Sequence, residues 1–207
     1  MSKRKSLIVV DMQEEFLGRE TEYPDFYLSR RQKLIEGVQE YVVAAIEKKN
    51  LVINITFGDS PIVPELRDVL LSSEVRQFSK HSVGLLRKSV FSNILEGEYI
   101  RRTLVQSDKA EFSAIFPRKG IMGYPIKELL SRGGSCDIVG VSTVECVLSV
   151  NLDLQYLANR VKSNAHFRVL GSLCMTSNPQ ICGEEVSEKS IDDDYRYWGL
   201  PGPIWHI

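Results

Sequence analysis

A chain of 207 residues, with 43% apolar and 26% charged side chains, is long enough to bury one sizeable core and too short for two comfortable domains. Its 26 lysines and arginines stand against 27 acidic residues, and a net charge of -1 offers no broad field for nucleic acid or an anionic membrane. No apolar run approaches the roughly 20 residues of a membrane helix, so a soluble protein that meets small molecules or protein surfaces is expected.

In chain order, residues 7–10 form a continuous apolar run that stops at Asp11. Short runs that are largely apolar rather than alternating mark strands buried on both faces of a parallel sheet, and they recur at residues 51–57 and 137–141. Between the first two, residues 29–49 place Leu34, Val38, Tyr41, Val42, Ala45 and Ile46 at helical spacing, the crossover helix of a βαβ unit.

Residues 61–108 mix charges, serine-rich turns and small apolar clusters, and are expected to supply helices and loops over the site. Residues 126–131 read as a short helix stopped by Gly133 and Gly134. After the strand at 137–141 comes a helix over 144–161, then a further strand at 167–170. The stretch 192–207, with three consecutive aspartates, Tyr195, Tyr197, Trp198 and Trp205, is expected to be a docked C-terminal tail of one domain spanning 1–207, because its aromatics demand burial.

Two positions stand out chemically. Asp11 directly follows a predicted parallel strand, which places its carboxylate at the carboxyl edge of the sheet, where ligands bind in open α/β folds; an aspartate capping the segment that follows is the structural alternative. Cys146 follows strand 137–141 and the turn Ser142-Thr143, in the first turn of the next helix, where amide dipoles stabilise a thiolate and can hold an oxyanion. A buried filler cysteine is the alternative there. Cys136, Cys174 and Cys182 lack that strand–turn–helix setting and read as structural. The absence of a CxxC pair, and of a long apolar signal core in MSKRKSLIVV, favours a reducing cytoplasm.

The stretch LIVVDMQEEF, together with DIVGVSTVECVLS, resembles the two signature blocks of the isochorismatase-like cysteine hydrolases, which include nicotinamidases and N-carbamoyl amidohydrolases. The resemblance implies a three-layer α/β/α fold around a mostly parallel, Rossmann-like sheet. It also implies an Asp-Lys-Cys triad of Asp11, a lysine and Cys146, and a cis peptide joining Val141 to Ser142 that turns the amides of Ser142 and Cys146 toward the substrate oxygen. The segment Lys109-Ala-Glu-Phe-Ser-Ala-Ile-Phe116 is similar to the family's lysine segment, so Lys109 is placed first for the lysine, with Lys80 and Lys88 as rivals. Phe16, Phe112 and Phe116 are candidates for the substrate pocket.

The implied activity is hydrolysis of an amide or ureido bond of a small molecule through a thioester on Cys146, with no cofactor and with relatives that often form homo-oligomers. The nicotinamidase metal site is matched only in part: Asp59 and His81 fit two ligands, but Pro61 stands where a middle histidine belongs, and two ligands make a poor zinc site. Two alternatives remain open, a nicotinamidase with an altered metal site and a non-catalytic scaffold of the same fold.

Overall fold

The computed structural model describes residues 5–18, 25–80, 85, 124–175, 188–197 and 200–205, with the side chains of residues 25, 26, 188, 190 and 194 left aside. Strand β1 (Lys5–Val10) is followed by a short helix α1 (Glu14–Leu17) and a long helix α2 (Asp25–Glu47). Strand β2 (Leu51–Phe57), helix α3 (Pro64–Leu70) and strand β3 (Val75–Lys80) come next. Helix α4 (Tyr124–Arg132), strand β4 (Gly134–Val141), a π-helical turn (Thr143–Val147), helix α5 (Leu148–Val161), strand β5 (Ala165–Met175) and helix α6 (Glu188–Tyr197) complete the described chain.

The five strands pair in the order β3-β2-β1-β4-β5, all parallel. Side chains alternate across a strand, so β1 feeds Leu7 and Val9 into one apolar cluster and Ile8 and Val10 into the other. The first cluster packs Leu34, Ile35, Val38 and Val42 of α2 with Leu66 and Leu70 of α3. The second gathers Ile126 and Leu129 of α4, Leu154 and Leu157 of α5, and Ile191 and Tyr195 of α6. The result is the three-layer α/β/α arrangement expected from the sequence. Among the described residues, no helix is long and apolar enough to cross a membrane.

Two elements depart from the expected pattern. Residues 61–108 were expected to hold only helices and loops, yet 75–80 is a sheet strand. Its exposed Arg76, Gln77 and Ser79 break the apolar run that marks a central strand, because β3 lies at the sheet edge. The strand expected at 167–170 is longer, Ala165–Met175, and its pairing with β4 slips between Ile138–Val169 and Gly140–Cys174. The residues that bulge out there meet the C-terminal segment, where Ile204 N–H donates to the Val169 carbonyl at 2.8 Å. The aspartates expected in a tail begin inside helix α6, and residues 200–205 run beside β5 through the Leu170–Ile204 bridge.

The order of strands reverses direction between β1 and β4, and the carboxyl ends of those two strands are the switch point where ligands sit in open α/β sheets. Their close approach depends on Gly140, which has φ of 128° and pairs with Val10. A Cβ at that position would collide with the Val10 carbonyl, in a backbone conformation that side chains rarely adopt. Gly140→Ala is therefore expected to destabilise the protein by about 2 kcal/mol or more, read as a drop in the urea midpoint. An unchanged midpoint would show that β1 and β4 can move apart freely.

Candidate active site

Three side chains from three strand ends meet at this edge. Asp11 immediately follows β1, takes the left-handed conformation with φ of 51°, and donates its N–H to the Ile55 carbonyl at 2.8 Å. That bond ties the carboxylate's backbone to β2. Two residues on, the buried Gln13 side chain accepts from the Phe57 N–H at 2.7 Å and donates to the Phe57 and Ser60 carbonyls. Gln13 thus locks the loop after β1 to the end of β2.

Lys80 is the last residue of β3, two strands away from Asp11. Strands lie about 4.8 Å apart, so the side chain must cross roughly 10 Å of sheet edge shared with the aspartate, a span that lysine is long enough to bridge. Its Nζ reaches Asp11 Oδ2 at 2.7 Å, and both side chains are fully buried. On the way the ammonium lies 5.2 Å from the centre of the Phe57 ring, a cation–π contact, and Phe57 in turn packs edge-on against Phe16 at 6.0 Å.

Cys146 lies in the π turn, 7% exposed. Its thiol is close enough to the Asp11 carboxylate and the Ser142 amide for each to act on its titration. The peptide between Val141 and Ser142 is cis. Val147 N–H returns to the Ser142 carbonyl at 2.9 Å, the five-residue closure that makes the turn π rather than α. Such turns recur at functional sites.

The electrostatics correct one expectation drawn from the sequence. A helix start favours a thiolate, but burial and then the negative Asp11 push the Cys146 thiol up to about 12, against the opposing pull of Lys80 and the Ser142 amide. Burial likewise raises Asp11 above its ordinary carboxylate value, with Lys80 the largest influence in the other direction. Burial thus pushes both acids toward their protonated forms, while Lys80 pulls each the other way. Desolvation outweighs the turn dipole here because the sulfur lies away from water.

The other candidates separate. Lys109, Lys88, His81, Phe112 and Phe116 lie outside the described residues. Asp59 is exposed in the turn after β2, and among the described residues no group of three His, Cys, Asp or Glu side chains is placed to hold a metal ion. Phe16 is half-buried and meets the site through Phe57. Gln13 and Phe57 were missed from sequence, although Gln13 stands two residues after Asp11 in the motif that identified it.

Comparison of the sequence with family models and with curated proteins gives no match. Solved structures do match over nearly the whole chain. A nicotinamidase from Staphylococcus aureus superposes with a TM-score of 0.56 at 11% identity, covering 99% of each chain. An N-carbamoylsarcosine amidase from Thermoplasma acidophilum gives 0.56 at 14% identity over 97% of this chain and 96% of its own. A ribonuclease from Caenorhabditis elegans gives 0.56 at 16% identity over 98% of this chain and 76% of its own. The chain has the isochorismatase-like hydrolase fold. The isochorismatase-like fold thus stands here with a carboxylate, an ammonium and a thiol at its switch point. A fold carries many chemistries, so function is argued from those side chains.

Proposed function

We propose that this protein is a cysteine amidohydrolase that cleaves a carbon–nitrogen bond of a small amide or ureido compound, with Cys146 as nucleophile, Asp11 as proton carrier and Lys80 as the lysine of the triad. The observation that carries the reading is the fully buried Lys80–Asp11 ion pair at 2.7 Å, with the buried Cys146 thiol close enough to Asp11 for each to shift the other. Lys80 takes the role that the sequence motif assigned first to Lys109, because its ammonium is in contact with the carboxylate.

The cycle follows from these positions. As Cys146 Sγ bonds to the substrate carbonyl carbon, its proton passes to the neighbouring Asp11 carboxylate. The carbonyl oxygen becomes an oxyanion, for which the amides of Ser142 and Cys146 are the assigned donors. Asp11 returns the proton to the leaving nitrogen, the carbon–nitrogen bond breaks, and a thioester remains on Cys146. Water then attacks the thioester carbon while Asp11 takes its proton, and the sulfur leaves and recovers that proton. Lys80 keeps Asp11 ionised in a buried site where the carboxylate would otherwise hold its proton.

The amide-hydrolysing proteins of this fold support the choice of bond, and the partners are small molecules. An ammonia-release screen over small carboxamides and ureides tests the reading. A cluster of related hits, each lost in Cys146→Ala and each leaving an acyl mass on Cys146 when quenched early, is the expected result. A folded protein that releases no ammonia from any of them, or hits that survive Cys146→Ala, would overturn it.

A further inference from the structure

The nucleophile turn is gripped from outside the sheet by the C-terminal segment. Tyr195 of α6 is fully buried in the same apolar cluster as Cys146 and Val147. Its hydroxyl donates at 3.0 Å to the carbonyl of Thr143, the first residue of the π turn. Burial pushes the phenol up, so it stays a donor at every working pH. The segment carrying it is fastened beyond the tyrosine as well. Leu200 N–H donates to the Tyr195 carbonyl at 2.9 Å, and Trp205 Nε1 donates to Asp192 Oδ1 at 3.0 Å. The indole rests on Gly171 of β5, where a Cβ would collide with it.

We propose that Tyr195 is a positioning residue that sets the nucleophile turn, holding Thr143 so that the Cys146 thiol meets Asp11, with the C-terminal segment as its clamp. The inference rests on Cys146 being the nucleophile, but its consequence can be read without turnover. A turn released from Tyr195 swings Cys146 away from Asp11 and toward water. The thiol then becomes easier to alkylate and worse at catalysis, a combination that simple loss of stability in the folded state does not produce.

The test uses the full chain and iodoacetamide at pH 8, with each modified cysteine located by peptide mass spectrometry. Tyr195→Phe keeps the buried ring and loses only the hydroxyl. It is expected to speed Cys146 alkylation about fivefold, the factor that one net hydrogen bond is worth, with Cys136 and Cys174 still protected. Tm should fall by only about 2–4 °C. Asp192→Ala, which frees the far end of the clamp, should move Cys146 in the same direction by less. If the tyrosine variant loses Tm while Cys146 reacts at the wild-type rate, the hydroxyl is only structural and the proposal fails. If Cys136 and Cys174 speed up together with Cys146, the whole fold has loosened and the proposal fails equally. A protein that hydrolyses no amide yet shows the selective Cys146 change would overturn the enzyme reading and leave the clamp standing.

Discussion

Lys80→Met is expected to cost about 3–5 kcal/mol of stability near neutral pH and to abolish hydrolysis. The reason is the burial of both partners of the Lys80–Asp11 pair. Removing the ammonium leaves a carboxylate with no solvent and no cation beside it, and breaking a buried pair costs far more than the pair itself contributes. The loss has a definite pH sign. Asp11 is already raised by burial, and without Lys80 it rises further. A folded-state acid with a raised pKa binds more protons than the unfolded chain, so stability falls as pH climbs from the ordinary carboxylate value toward the raised one. The variant should therefore come closest to the wild type in acid and fall away toward neutrality. Urea unfolding at pH 5 and pH 8 reads this directly. Equal midpoints at pH 8, or activity retained in Lys80→Met but lost in Lys109→Met, would return the triad lysine to Lys109.

That contest between lysines shows what was legible in the sequence. Strands β1, β2 and β4 are central and buried on both faces, so their apolar runs announced them, and with them the positions of Asp11 and Cys146. Strand β3 is an edge strand with exposed Arg76, Gln77 and Ser79, so the residues ending in Lys80 looked like surface. With β3 unseen, nothing placed Lys80 at the sheet edge, and a local motif around Lys109 set the order of the candidate lysines. The proton state of Cys146 was hidden for a different reason. Its helix-start setting is a local feature, whereas the burial and the Asp11 charge that raise it arise from distant parts of the chain. Tyr195 is the same case: its demand for burial was readable, but its partner Thr143 is 52 residues away.

The protonated thiol makes the second prediction, on the pH dependence of Cys146. If proton transfer to Asp11 accompanies attack, kcat/KM on an amide found in the screen should rise with pH as Asp11, raised by burial, ionises, and then level off. The thiol, pushed up to about 12, contributes no limb in that range. If instead the enzyme worked through a free thiolate, the rate would climb about tenfold per pH unit across pH 7–9. The same shift appears in stability. Cys146 is raised from 9.0 to about 12 on folding, so between those values the native state holds a proton that the unfolded chain has released. Stability must then fall as pH rises from about 9. Cys146→Ala should remove its share of that alkaline loss, while Cys174, also raised to about 12, keeps its own. Urea unfolding of both proteins at pH 8 and pH 10 measures the difference. Identical alkaline losses would mean that Cys146 titrates alike in folded and unfolded chains, and a thiol that does so is not held against Asp11 in a dry site. The same variant should lower hydrolysis by about a thousandfold or more, and together the two readouts separate a nucleophile from a buried filler cysteine.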